Sequence, residues 1–231
     1  MRLLLLLLLL ASAAAAQPNG DDLLNAWRAS WRSASADVNA ITVGEAMDVR
    51  FEGPRGDSRI EANSTVRYDL GSAPRREVRD ARVNGVQARQ ERGPRFERRL
   101  VRALGPPGRE VMSPPALPNQ LLRSARARRV AADRVDGVSA WRVTLDNPGP
   151  VFAEATVWLT RSTTPRLLRA RGEGTRPRGG RFTRDVRYVR LSGLDLPLRV
   201  ESTFVTRQRR RLRSYVVSLR AETSYDDFVV R

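Results

Sequence analysis

The chain has 231 residues with 42 basic against 25 acidic side chains, a formal net charge of +17, and no His, Cys or Lys, so every basic residue is an arginine. These absences exclude Ser-His-Asp triads, thiolate nucleophiles, disulfides, Cys-type zinc sites, Schiff bases and lysine phosphate loops. With 41% hydrophobic and 29% charged residues, the composition is globular, and the length suits a single all-β barrel or sandwich.

Met1-Arg2, the run Leu3 to Leu10 and the small residues Ala11 to Ala16 have the three parts of a secretory signal peptide, with Ala14 and Ala16 forming a small-x-small cleavage pattern. Leu3 to Ala16 is too short to span a bilayer, which takes about 20 residues. Gln17 stands where a lipoprotein has its acylated Cys. The expected product is therefore a soluble, periplasmic, unanchored single domain of residues 17 to 231, behind a signal peptide of residues 1 to 16.

Residues 17 to 34 predict a helix, capped by Asn19 or Asp21, with Leu23, Leu24, Trp27, Trp31 and Ala34 along one face. Such a stripe either lines a ligand site or packs the helix onto a sheet. From Ile41 the period changes to two: Ile41, Val43, Met47, Val49 and Phe51 alternate with polar residues, and Glu45 interrupts the apolar set. After a turn at residues 53 to 57, Ile60, Ala62, Val66, Tyr68 and Leu70 alternate in a second strand, giving a long antiparallel hairpin. The Arg-Gly-Asp triplet in that turn is ordinary turn chemistry.

Residues 75 to 89 continue the meander through Asn84-Gly85. Residues 91 to 104 are compatible with a helix. Residues 105 to 118, with Gly105-Pro106-Pro107-Gly108, Pro114-Pro115 and Pro118, exclude a central strand and form either a lid over a cavity or an irregular connection. Beyond the Asp136-Gly137 turn, Trp141, Val143 and Leu145 alternate, and further strands are expected at 151 to 159, 166 to 173, 182 to 190, 198 to 206 and 212 to 221.

The connections at 176 to 181 and 207 to 213 carry the densest positive charge. Arg207, Arg209, Arg210, Arg211 and Arg213 offer forks that suit phosphate or carboxylate, which makes them candidate anion-binding residues beside the plainer reading as solvated turn tips. No aromatics interleave with them for base stacking, so nucleic acid is a poor partner. The visible acids offer no catalytic pair: Asp226-Asp227 and Asp21-Asp22 are adjacent, Glu154 and Glu201 stand apart, and no loop has calcium-ligand spacing. The expectation is a non-catalytic protein without cofactor or metal.

A curved sheet, an apolar helix stripe and a Pro-rich flap can enclose a hydrophobic cavity. Its candidate lining is Trp27, Trp31, Met47, Val49, Val66, Tyr68, Trp141, Val143, Trp158 and Phe204. A filled core demands the same residue types.

Ala155-Thr156-Val157-Trp158-Leu159-Thr160 through Thr164-Pro165-Arg166-Leu167, then Tyr188 to Leu191 with Gly193-Leu194-Asp195-Leu196-Pro197, and the closing Tyr225-Asp226-Asp227-Phe228 resemble the periplasmic lipoprotein-carrier superfamily of the LolA/LolB type. The resemblance covers most of residues 20 to 230. It departs at Thr160-Arg161, where those proteins have Asp after the Trp strand, and at Ala73-Pro74, where their lid-latching Arg-Pro step falls. It implies a mainly β fold, an incomplete antiparallel half-barrel wrapped around an N-terminal helix and a lid segment, that holds acyl chains. The expected function is that of an exported, monomeric carrier or chaperone for a lipid or acylated protein. The alternative is an envelope protein binding polyanions, whether acidic lipid headgroups at the membrane surface, cell-wall polymer or nucleic acid, through the hairpin-tip arginines.

Overall fold

The computed structural model describes residues 17–53, 56–69, 75–87, 125–146, 148, 152–176, 180–210 and 213–231. The expected signal peptide, the 91 to 104 and 105 to 118 segments, and Arg211 lie outside the described residues. Helix α1 (Gly20–Ser35) begins where the sequence predicts: the Asn19 side chain accepts from the Asp21 N–H at 3.0 Å, Asp21 and Asp22 lie in the first turn, and Arg32 lies in the last. Its buried stripe is Gly20, Leu24, Trp27 and Trp31.

Among the described residues, eleven strands form one open, unclosed antiparallel sheet: β1 (Ala40–Glu52), β2 (Ser58–Asp69), β3 (Arg75–Val83), β4 (Val86–Gln87), β5 (Arg126–Val135), β6 (Val138–Asp146), β7 (Glu154–Thr160), β8 (Leu167–Arg176), β9 (Gly180–Leu191), β10 (Leu194–Arg210) and β11 (Arg213–Val230). Their order is β4-β3-β2-β1-β11-β10-β9-β8-β7-β6-β5. Chain neighbours pair except β4 and β5, which form the two edges of the sheet, and the β1–β11 pairing joins the two halves of the meander. Around it, Ala40 and Arg231 exchange backbone hydrogen bonds at 2.9 and 3.0 Å.

Three two-residue turns put both central residues at positive φ: Asn84-Gly85 at 52° and 78°, Asp136-Gly137 at 50° and 82°, and Ser192-Gly193 at 48° and 78°. This is the hairpin geometry whose twist matches the flanking strands. The Ser192-Gly193 turn starts β10 at Leu194, four residues earlier than the alternation suggests, because a register shift between Pro197 and Arg199 disguises the period. Strand β5 has no signature in the alternation, since Arg126, Arg128, Arg129 and Arg134 are all exposed and only Val130 and Val135 are buried.

As an edge strand, β5 carries unpaired backbone groups that invite unwanted pairing. Helix α1 answers them. The Ala127 N–H donates to Asp21 Oδ1 at 2.8 Å, Arg28 donates to the Ala125 carbonyl at 2.7 Å, and the Gln17 amide donates to the Val130 carbonyl. Contact is so close that a Cβ on Gly20 would lie 2.3 Å from Ala127 Cβ and 2.7 Å from Val130 Cγ2. Gly20→Ala is therefore expected to lower stability by about 1–3 kcal/mol through overpacking, despite alanine's better helix propensity. Urea unfolding measures it, and an unchanged or raised midpoint would show that α1 seats differently.

Register also explains much of the arginine surplus. Residues directly opposite share a face of the sheet. On the face away from α1, Arg142, Trp158, Arg169, Arg187 and Arg199 form one row across five strands. Asp185, Glu201, Glu222, Asp48 and Glu61 form an adjacent acidic row, and Arg220, Arg50 and Arg59 a third. Carboxylates placed side by side repel, and the flanking guanidinium groups offset this. Arg169 pairs with Asp185, Arg199 reaches Glu201 at 3.2 Å and Glu222 at 2.8 Å, and Arg59 reaches Asp48 at 2.8 Å and Glu61 at 2.9 Å.

Candidate functional site

The α1 side of the sheet divides into two apolar regions. The first is the main core, where Leu24, Trp27 and Trp31 pack with Ile41, Val43, Val66, Tyr68, Val143, Val157, Leu159, Val186 and Tyr188. Trp141 packs against this cluster from the side, with the Arg161 guanidinium 4.2 Å from its ring centroid.

A polar row ends this core. Glu45, the interruption in the β1 alternation, lies opposite Ser64 and Tyr225, and its carboxylate is 2.7 Å from Arg76. Both side chains are buried, at 1% and 5% exposure. Tyr225 OH donates to Glu45 Oε1 at 3.4 Å. Burial, reinforced by the Glu45 charge, pushes the Tyr68 and Tyr225 phenols above their ordinary range, so both stay protonated donors. Ser64 Oγ is buried without a hydrogen-bond partner.

Beyond that row the same face is apolar again and more open. By alternation and register, Met47, Val49 and Phe51 on β1 share it with Ile60 and Ala62 on β2 and with Leu219 and Ala221 on β11. Ala62 and Ala81, with Ile60 and Val78, form a cluster separate from the main core. Phe204, opposite Leu219 and Phe182, belongs to this outer region, and its ring lies 2.5 Å from where a Gly180 Cβ would stand. Met47 is half-buried and Phe51 is 38% exposed.

Of the ten cavity candidates, Trp27, Trp31, Val66, Tyr68 and Val143 thus come together in the main core, with Trp141 beside them. Met47, Val49 and Phe204 lie past the polar row. Trp158 does not join either group. It alternates out of phase with Val157 and Leu159, so it lies on the far face with Val135, Ala140 and Leu168. There its indole donates to Asp133 Oδ2 at 2.9 Å, and Arg169 sits 5.0 Å from the ring centroid. Of the arginine candidates, Arg207 is exposed on β10, while Arg209, Arg210 and Arg213 fall in the β10–β11 ladder.

Asp195 fastens the middle of α1 to the sheet, as Asp21 and Arg28 fasten it to β5. Trp27 Nε1 donates to its Oδ2 at 2.7 Å, the Leu167 N–H donates to the same oxygen at 2.9 Å, and Arg190 lies 3.6 Å from Oδ1 while also donating to Ser30 on α1. The signal was an acid set between Leu194 and Leu196, both of which are fully buried. Burial holds the Asp195 carboxyl above the ordinary aspartate range, opposed by the hydrogen bonds from Leu167 and Trp27. With the folded value above the unfolded one, the native state binds the proton more tightly, and this residue's contribution to stability falls as pH rises through that window. Asp195→Asn keeps a carbonyl oxygen for both donors and removes the ionisation. Its stability relative to wild type is therefore expected to rise between about pH 4 and about pH 7; urea titrations at the two values check it, and a falling difference would contradict the burial argument.

A groove of about 420 Å³ lies among the far-face residues Ala46, Asp48, Glu61, Asn63, Asp80, Arg82, Glu222 and Ser224, and is polar. Among the described residues no group of His, Cys, Asp or Glu is arranged to hold a metal ion, and no helix is long and apolar enough to cross a membrane.

No protein-family model matches the chain, and no curated protein does. Among solved structures it is similar to a LolA superfamily protein from Nitrosomonas europaea, at 11% identity and a TM-score of 0.35 over 93% of this chain and 94% of that one. It is likewise similar to a lipoprotein-sorting protein domain from Vibrio parahaemolyticus, at 10% identity and TM-score 0.40 over 92% and 94%. A third is LprF from Mycobacterium bovis, at 8% identity and TM-score 0.30 over 91% and 94%. The chain therefore has structural similarity to LolA superfamily and lipoprotein-sorting domain proteins at low sequence identity.

Proposed function

We propose that the protein is an exported, non-catalytic carrier that holds the acyl chain of a lipid or acylated protein against the outer part of its α1-side face. The observation that carries this reading is the second apolar region. It lies on the same face as the core, is separated from it by the buried Glu45–Arg76 row, and keeps Met47 half-buried and Phe51 exposed. A sheet needing only a core has no use for a further apolar surface beyond a buried ion pair, and part of this one stays accessible, at Met47, Phe51, Ile60 and Phe204 over the buried Val49 and Ala62. The ligand's chain packs along Met47, Phe51, Ile60 and Phe204, and the polar row limits how deeply it enters.

A double variant, Met47→Gln with Phe51→Gln, tests this. Each side chain contributes about 1.5–3 kcal/mol when fully buried by a ligand, so affinity for a fluorescent long-chain fatty acid is expected to fall at least about tenfold. Val138→Gln, on the far face where Val138 is 42% exposed, is the control and leaves affinity unchanged. Equal uptake by all three proteins would remove this surface from consideration.

A further inference from the structure

Register places one arginine on the α1-side face beyond the main core. Across the sheet, Val49, Ala221, Ser202, Arg184, Gly172 and Ala155 stand opposite one another in a single row on that face. The row on its inner side contains Thr223, Val200, Val186 and Ala170, all buried. The row on its outer side contains Phe51, Leu219, Phe204 and Phe182. Arg184 is the charged member of its row, and it lies where the main core gives way to the outer apolar region.

The far-face arginines stand in rows beside an acidic row; Arg184 is instead half-buried among small and aromatic side chains. Arg184 Nε donates to Ser202 Oγ at 3.1 Å, which fixes the plane of the guanidinium. On β8, Gly172 stands opposite Arg184, and the Phe152 ring covers this glycine so closely that a Cβ there would lie 2.3 Å from the ring. Phe152 in turn packs on Phe182, with ring centroids 5.6 Å apart. A guanidinium carries several N–H donors. The Ser202 bond uses Nε, so the rest of the fork can take an anion's oxygens alongside its other contacts.

We propose that Arg184, oriented by Ser202, binds the anionic head of the ligand, a carboxylate or phosphate joined to the acyl chain. The inference rests on the carrier reading and narrows its ligand to anionic acyl lipids. The site continues the path of the chain. From Ile60 on β2 to Phe204 on β10 that path crosses β1 and β11, roughly 14 Å at about 4.8 Å per strand spacing. Arg184 is the diagonal neighbour of Phe204 across the β9–β10 pairing, about 7–8 Å away, which an arginine side chain spans. A cation on an apolar face attracts an anion more strongly than one in open solvent does. Guanidinium forks suit both carboxylate and phosphate.

The test is isothermal titration of the protein with dodecanoate, dodecyl phosphate and dodecanol, probes that share one chain and differ in the head. Wild type is expected to bind the anionic probes at least about tenfold more tightly than the alcohol, as one charge-assisted hydrogen bond provides. A preference confined to one of the two anions identifies the head as carboxylate or phosphate. Arg184→Gln is expected to bring the anions to the affinity of the alcohol, and Arg184→Lys to keep a preference for them. Arg220→Gln, which removes the same charge from the far face, leaves the preference intact. Thermal unfolding of each variant shows that the fold persists, and the wild-type ranking stands as a test even where a variant does not fold. Equal affinity of wild type for all the probes, or a preference that survives Arg184→Gln, would overturn this inference and leave the carrier reading standing. Failure of every probe to bind would overturn the carrier reading, and this inference with it.

Discussion

Arg76→Met is expected to destabilise the fold by about 3–5 kcal/mol, because it leaves the Glu45 carboxylate buried with no cation beside it. At 1% side-chain exposure Glu45 cannot recover hydration without opening the sheet, and Tyr225 offers it one long hydrogen bond of 3.4 Å. Removing both charges is a different experiment. Glu45→Leu with Arg76→Met deletes the desolvation cost together with the attraction, and is expected to lie within about 2 kcal/mol of wild type. Urea denaturation of the two single variants and the double variant gives the coupling directly. A double variant as unstable as Arg76→Met would mean that the loss comes from packing and that the ion pair is incidental. The pair's position suggests why it is kept: it ends the core and prevents the outer apolar region from simply merging with it.

Trp27→Ala should have a similar cost, about 3–5 kcal/mol, since Trp27 is 1% exposed at the centre of the α1 interface. Two losses combine: a large cavity opens beneath α1, and Asp195 Oδ2 loses its 2.7 Å donor. Trp27→Phe separates them. It retains most of the ring and removes the N–H, so its cost is expected to be nearer 1–3 kcal/mol, the penalty for a buried polar group left short of a partner. Combining Trp27→Phe with Asp195→Ala, which removes the acceptor, should then cost less than the sum of the singles, because they share one interaction. Strict additivity in urea unfolding would show that Trp27 and Asp195 act independently and that α1 is held by apolar contact alone.

These two sites also mark where sequence and structure part. The helix, the first hairpin and the Asn84-Gly85 and Asp136-Gly137 turns follow from local rules, because a cap, an alternation or a positive-φ dipeptide acts within a few residues. Glu45 was visible as an interruption, but its partner Arg76 lies 31 residues away on β3, and nothing local distinguishes that arginine from Arg75. Asp195 was visible within an apolar stretch, whereas its donor Trp27 is 168 residues away. Trp158 took the far face because β7 is buried on both sides, with Val157, Trp158, Leu159 and Thr160 all inaccessible, so alternation carried no information there. The arginines on strands looked like generic solvated charge; only the register shows that they stand in rows matched to an acidic row.

The central claim, that the outer α1-side face holds an acyl chain, is tested most directly by extracting the purified protein with organic solvent and identifying what is released by mass spectrometry. The account predicts a near-stoichiometric lipid or acylated species, reduced in the Met47→Gln, Phe51→Gln variant. A clean extract from the wild-type protein, together with no uptake of a fluorescent fatty acid, would contradict it.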